Sequence, residues 1–391
     1  MKRFGGILLI SLCFTLTAKS QFTDSIQKII DADTSLIIKE VFANPKFYRL
    51  KIIFTEVSSD SNGCKKLSAW NYRDTVKEYF YPASLAKIPL ALTSMQFMNE
   101  RKEFNPYLSD ILIDSSSRIK ERSLYDDMLL MLSASDNNAF NRIYNMVGCK
   151  YININLIKRK YLNTYIIHRF EQGSTKYHQT ALPVTVVTPT CDTLYSHHAD
   201  SIYAPIQHGL KDSLIGIGYY FNDSLITTPK SFRFNNYIDI RDVHDMMISL
   251  NYPSLLKRTP FNISEYQRKS LIKFLKTSPL HPNTTEYSDT SVFHPNFLRF
   301  SVFGREKNLQ YPTIEYYNKS AMAYGFLADC CYLKDTVNDV EFYLSIYMYA
   351  NKNEILNDNS YEYDSIGIPF MKKFGELIYN KMKKNKATRQ F

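Results

Sequence analysis

The sequence predicts an α+β fold: an antiparallel sheet flanked by helices and built from both ends of the chain, with an inserted helical lobe that itself carries a β-rich insertion. Three observations carry this expectation. Two strand-like segments lie near the N-terminus, at Tyr48 to Val57 and Lys66 to Tyr72. From Ile88 to about residue 165 apolar residues recur three and four apart, as in Leu92 to Phe97 and Leu124 to Leu132. Strand-like stretches return at 297–304, 314–322, 327–333 and 341–350, ahead of a closing helix from Tyr363 to Lys384. A period of two marks a strand and a period of 3.6 marks a helix, so the change of period along the chain marks the lobes.

Taken in order, residues 1–20 consist of Lys2-Arg3, an apolar run from Ile7 to Leu16, and Ala18-Lys19-Ser20. This is the layout of a secretory signal, and cleavage is expected between Ser20 and Gln21. The apolar run is shorter than the ~20 residues needed to span a bilayer. A mature protein exported to the periplasm, without a transmembrane segment, is therefore expected. Residues 24–43 then read as one or two amphipathic helices, broken at Asp31 to Thr34. Ser58 to Gly63 supplies turn chemistry between the first two strands. Residues 21–87 and 285–391 are expected to form the sheet lobe, and residues 88–284 the helical lobe. Within the latter, residues 172–235 lose the helical period and show Thr, Pro, Asn, Tyr and Val clusters, with a hairpin-like Gly218 to Thr227. Helical signals resume at Ile240 to Leu250 and at Ser264 to Lys276, which opens on a Ser264-x-x-Gln267 capping box.

Composition excludes several classes of function. With 391 residues, 45% hydrophobic and 22% charged, the chain can bury a sizeable core and is neither disordered nor fibrous. Losing Lys2, Arg3 and Lys19 with the signal lowers the formal charge from +10 to +7. No basic helix or aromatic RNA-binding motif accompanies that charge, so nucleic acid is not an expected partner. Cys64, Cys149, Cys191, Cys330 and Cys331 are odd in number and lack metal-ligand spacing. Adjacent Cys330 and Cys331 would point to opposite faces of a strand as packing residues. His197-His198-x-Asp200 is a weak metal candidate, because adjacent histidines in a regular element cannot both face one ion. No cofactor and no metal are expected, and the protein is expected to be a monomer.

Two local motifs carry chemistry. A serine hydroxyl is a poor nucleophile near neutral pH, so acyl transfer needs a neighbour to take its proton and a donor pair to hold the oxyanion. Ser84-x-x-Lys87 supplies the first pair on one face of a helical turn, and a crowded, buried lysine has a lowered pKa. Pro89 implies that this turn is kinked or tightened. Ser135-Asp136-Asn137 then interrupts an otherwise buried helical pattern with a polar cluster, which costs free energy unless it is satisfied. Ser135 could relay a proton to a leaving amine and Asn137 could donate to a substrate amide; the same three residues also read as a helix cap and turn.

The S-x-x-K of Ser84 and Lys87, followed 51 residues later by the S-D-N of Ser135 to Asn137, resembles the class A β-lactamase and penicillin-binding serine hydrolase superfamily. Arg169-Phe170-Glu171 matches the family's R-x-E, with Glu171 standing 36 positions after Ser135. Lys319-Ser320-Ala321 matches its K-[ST]-G strand. The resemblance implies that Ser84 is the nucleophile, with Lys87 and Ser135 moving protons and Glu171 activating the deacylating water. It implies further that Asn137, Lys319 and Ser320 hold the substrate, and that the backbone amides of Ser84 and Met322 form the oxyanion hole. The expected partner is thus a small β-lactam or a peptidoglycan-derived substrate.

The chain departs from that pattern in four ways. Ala321 replaces the family's glycine, Thr175 stands where the family keeps an asparagine, the insertion begins at the same point, and no arginine follows on the strand after Lys319. Three readings follow from the resemblance. Glu171 favours a β-lactam hydrolase. The insertion favours a peptidoglycan-directed peptidase or transpeptidase-like hydrolase with the same acylation machinery. Ala321 and the altered loop leave open a catalytically weakened binding protein.

Overall fold

A computed structural model describes residues 26–170, 180–198, 210, 212–281 and 283–389. The signal-like segment, Glu171, Thr175 and Asp200 lie outside these residues. No helix among the described residues is long and apolar enough to cross a membrane.

A five-stranded antiparallel sheet joins the two ends of the chain. Its strands are β1 (Lys51–Ser59), β2 (Lys65–Tyr72), β3 (Ile314–Ala323), β4 (Phe326–Asp335) and β5 (Val340–Tyr349), in the order β3-β4-β5-β1-β2. The ends meet where β1 pairs with β5, from Lys51 opposite Tyr347 to Glu56 opposite Phe342. Both faces are covered. Ile52, Phe54, Cys331 and Leu344 pack with α1 (Leu36–Ala43) and α8 (Ile368–Arg389), whereas Ile53, Val57, Cys330 and Tyr347 belong to the core shared with the helical lobe. A sheet buried on both sides shows near-continuous apolar runs, which is why β5 is buried at every position. Cys330 and Cys331 face opposite sides as expected, and the five described cysteines are all free.

The helical lobe surrounds α2 (Lys87–Asn99), which is buried along almost its whole length. Around it lie α3 (Leu124–Ser133), α4 (Asn137–Val147), α5 (Cys149–Lys158), α6 (Ile240–Ser249) and α7 (Glu265–Lys276). The expected capping box of α7 is present, Ser264 and Gln267 each bonding the other's backbone. Arg142 on α4 is fully buried. Its guanidinium bonds Asp127 at 2.9 and 3.2 Å and the carbonyls of Leu112 and Ile119 at 2.5 Å, tying α4 to α3 and to the hairpin before it.

The insertion is woven into its surroundings. Val184–Val187 pairs with Ile111–Ile113, extending a small sheet of the helical lobe. Gly218–Phe221 pairs with Ser224–Ile226 across Asn222-Asp223, both at positive φ as a type I′ turn requires, and also lies parallel to Ile355–Leu356 beyond the main sheet. One expectation fails: residues 297–304 form turns and not a strand. Phe300 and Val302 are buried, which produced the alternating pattern, but the Ser301 amide donates to the Asp329 carboxylate at 2.8 Å in place of a ladder partner. Val302, Gly304 and Arg305 all take positive φ.

Two stability predictions follow from buried polar groups that join these layers. His244 of α6 sits between Thr55 of β1 and Ser345 of β5, each hydroxyl 2.8 Å from a ring nitrogen, and burial pushes its pKa down to about 3. The unfolded chain takes up the proton near pH 6.5 and the folded one does not, so this residue's contribution is lost as pH falls from about 6.5 towards 3. Replacing it (His244→Gln) should remove about 2–3 kcal/mol of the stability difference between pH 7 and pH 4.5, measured by urea unfolding at both values. Equal pH slopes in variant and parent would contradict this. Removing Arg142 (Arg142→Leu) leaves the buried Asp127 carboxylate with Arg122 alone, at 3.2 Å, and takes the donor from the Leu112 and Ile119 carbonyls. It should cost about 3 kcal/mol in the same assay at pH 7, against less than ~1 kcal/mol if the pair were dispensable.

Candidate active site

The site is assembled where the free edge of β3 meets the N-terminal end of α2. Ser84 lies in a single 3₁₀ turn, Ala83–Ala86, and Lys87 begins α2 directly after it. This is the tightened turn expected from Pro89, which occupies the third helical position, where its missing N–H costs no helical bond. Ala83, just before the serine, has φ +43, a strained conformation for a residue with a Cβ, and is held in the core.

Lys87 is fully buried. Its Nζ lies 2.9 Å from Ser84 Oγ, 2.9 Å from the Ser135 carbonyl oxygen, 3.3 Å from Ser135 Oγ and 2.7 Å from Asn137 Oδ1. Burial pushes its pKa well below the ordinary lysine value; the like charge of Lys319 adds to this and Asp136 opposes it. A neutral amine has two protons and one lone pair. As an ammonium, Nζ donates to Ser84 Oγ, the Ser135 carbonyl and Asn137 Oδ1; as a neutral amine it would donate to the last two and accept from the Ser84 hydroxyl.

The S-D-N segment reaches Lys87 through a backbone reversal at Ser135, whose φ is +61. Ser135 and Asn137 turn towards the lysine, and Asp136 turns away as the N-cap of α4. Its carboxylate accepts from the Ala139 amide at 2.5 Å and from the Tyr287 hydroxyl at 2.6 Å. Cap and polar cluster are therefore both present, divided among neighbouring residues. Asn137 is exposed, so its amide protons remain available to a ligand.

β3 supplies the remaining predicted residues. Lys319 is buried, and desolvation lowers its pKa to about 7, opposed by the Asp329 carboxylate. Asp329 lies opposite Ser320 in the ladder and is pushed up to about 6 by burial, its oxygens held by Asn318 and the Ser301 amide. Ser320 Oγ is buried without a hydrogen-bond partner among the described residues. Tyr324 and Gly325, with φ of 55 and 82, form the two-residue turn to β4. In such a hairpin the flanking pair, Ala323 and Phe326, is the hydrogen-bonded one, so by alternation the Met322 N–H points to the free edge. The Ala321 methyl is buried in the core beside the cleft.

Two residues with no role assigned from sequence complete the surroundings of Lys87. The Phe170 ring centroid stands 4.8 Å from Nζ. The backbone of Phe170 is clamped by the Asn141 side chain, whose Nδ2 donates to the Phe170 carbonyl at 2.6 Å and whose Oδ1 accepts from its amide at 2.7 Å. Asn236 holds the preceding segment in the same manner, accepting from the Ile167 and His168 amides at 2.7 and 3.0 Å. From the insertion, Phe232 packs on Tyr81 and Tyr324 with centroids 5.5 and 5.3 Å apart, which brings that segment to the rim of the site. His197 ends the Thr193–His197 strand, and no group of three or more His, Cys, Asp or Glu suited to a metal occurs among the described residues.

No protein-family model matches the chain, and no curated protein sequence matches it. Solved structures do. A β-lactamase from Sphaerobacter thermophilus superposes with a TM-score of 0.50 at 10% identity, covering 92% of this chain and 97% of that one. The chromosome-encoded β-lactamase of Vibrio parahaemolyticus aligns at 13% identity with a TM-score of 0.46, covering 88% and 97% of the two chains. A β lactamase from Xanthomonas campestris aligns at 11% identity with a TM-score of 0.47, covering 92% and 98%. At such low identity a structural likeness speaks to architecture alone. The likeness to the Sphaerobacter thermophilus β-lactamase spans nearly the whole of both molecules, and this chain shares its fold.

Proposed function

We propose that the protein is an exported serine hydrolase that opens β-lactam amides through an acyl-enzyme on Ser84. The observation that carries this reading is the buried Lys87 amine, 2.9 Å from Ser84 Oγ and surrounded by Ser135 and Asn137. In the first half-reaction the Ser84 proton passes to Lys87 Nζ as Oγ adds to the carbonyl carbon. The oxyanion is held by the amides of Ser84 and Met322. The C–N bond then breaks, and the nitrogen takes a proton from Ser135 Oγ, which is replenished from Lys87. In the second half-reaction water adds to the ester carbonyl, the bond to Ser84 Oγ breaks, and Oγ recovers its proton while the product leaves as the acid. Glu171, next in sequence to the clamped Phe170, is assigned as base for that water. Asn137 is assigned to the substrate amide, and Lys319 and Ser320 to its carboxylate. Export to the periplasm rests on the pattern of residues 1–20.

A second reading, a peptidase acting on a longer peptidoglycan-derived amide, is favoured by the insertion, whose Phe232 adds surface at the rim beside Tyr81 and Tyr324. The two are separated by mixing the mature protein with nitrocefin and with a fluorescent penicillin. The hydrolase reading expects nitrocefin turnover and labelling, both abolished in Ser84→Ala, with Lys87→Ala slowing acylation by about 10²–10⁴-fold. Labelling without turnover supports the peptidase. No labelling at all overturns the acyl-enzyme mechanism for these substrates.

Lys319 gives a separate pH prediction. It is charged below its pKa of about 7 and neutral above, so the apparent affinity for a carboxylate-bearing substrate should weaken by about tenfold per pH unit above that value. The substrate concentration that half-saturates the pre-steady-state acylation rate of nitrocefin, measured from pH 6 to 9, should show this slope in the parent and a flat line in Lys319→Ala. Parallel profiles would remove Lys319 from substrate binding.

A further inference from the structure

We infer that Phe170 keeps water away from Lys87, so that breakdown of the Ser84 acyl-enzyme, and not its formation, limits turnover; the inference rests on Ser84 being acylated as proposed above. The side of Nζ that faces no polar partner faces an aromatic ring. Three directions around the amine are taken by Ser84 Oγ, the Ser135 carbonyl with its neighbouring hydroxyl, and Asn137 Oδ1. The Phe170 centroid at 4.8 Å closes another. A water squeezed against that ring would meet neither a conventional donor nor an acceptor from Phe170, and an unsatisfied buried water is costly.

The ring is not placed there by chance packing of a loose side chain. Both backbone groups of Phe170 are bonded to the one Asn141 amide, and the ring also packs against Phe140 at 4.4 Å. Asn141 lies on the same helix, α4, as Asn137, so the clamp and the lysine's acceptor share one rigid element. Displacing the ring therefore means breaking a two-bond clamp or turning the side chain against a packed neighbour.

The two half-reactions feel this ring differently. Acylation needs only the existing contact between Ser84 Oγ and Nζ, because the carbonyl is delivered by the bound substrate. Deacylation needs a water that reaches the ester carbon while its proton is taken up and Ser84 Oγ is released as a hydroxyl. The ring over Nζ denies that water a place bonded to Lys87, which hinders this step and not the first. Phe170 is thus a positioning residue that acts on solvent access.

The test is stopped-flow nitrocefin kinetics with intact-mass measurement of the adduct, on the parent and on Phe170→Ala, Phe170→Leu and Asn141→Ala. The parent should show a burst approaching one equivalent and an adduct that dominates at steady state. Phe170→Ala should keep the burst rate within about threefold and raise the steady-state rate by roughly tenfold or more, an acceleration that simple loss of packing would not produce. Phe170→Leu, which retains bulk, should stay near the parent; Asn141→Ala, which frees the segment without touching the ring, should accelerate breakdown and serves if Phe170→Ala does not fold. A parent with no burst and little adduct despite turnover overturns the inference, as does unchanged breakdown in folded Phe170→Ala or, failing that, in Asn141→Ala. Absence of any adduct or turnover in the parent removes the acyl-enzyme reading itself and this inference with it.

Discussion

A lysine amine without access to water is the constraint around which this molecule is built. An isolated ammonium in a protein interior is expensive, so the group either finds partners or gives up its proton. Lys87 does the first through Ser84, Ser135 and Asn137, and is driven towards the second by burial and by Lys319. Two strained backbone positions near it serve that arrangement. Ala83 at φ +43 turns the chain into the serine, and Ser135 at φ +61 brings a carbonyl and a hydroxyl to the amine. Such positions persist only where the surroundings over-determine them, and here the fully buried α2 and the Arg142 anchorage of α4 do so.

The sheet contributes the opposite charge balance. β3 is an edge strand, and an edge left open is normally a liability. In this fold it faces the 3₁₀ turn that carries Ser84, with the Met322 N–H on its open side. Behind it, Asp329 offsets part of the cost of burying Lys319, while its own burial raises its pKa to about 6. Burial lowers the pKa of both lysines, Lys319 lowers that of Lys87 further, and Asp136 and Asp329 oppose these shifts at Lys87 and Lys319 respectively.

Much of this was legible in the sequence where the chemistry is local. Ser84 and Lys87 are one turn apart, Ser135 to Asn137 are contiguous, and Lys319 and Ser320 are adjacent on one strand, so spacing alone brings each set together. The fold class followed from changes of period, and the hairpin at Gly218 from turn chemistry. What was not legible depends on residues distant in the chain. Asn141 and Phe170 meet only because α4 and the segment after Thr164–Tyr165 fold against each other, and neither shows a spacing signal for it. The 297–304 segment failed for a related reason: alternating burial appeared there without a partner strand, its amide having gone to Asp329. Glu171, the family-derived base, lies outside the described residues, and the residue before it places its ring 4.8 Å from Lys87 Nζ.

The central claim is that Lys87 holds its proton less tightly than an ordinary lysine and takes the Ser84 proton. It is tested most directly by the pH dependence of the single-turnover acylation rate of a fluorescent penicillin at saturating concentration. A lysine lowered well below its ordinary value predicts a rate constant that reaches its plateau below the ordinary lysine range and falls as pH drops through the Lys87 pKa. A rate that still climbs about tenfold per unit between pH 8 and pH 10 would describe an ordinary, solvated lysine and would contradict the account.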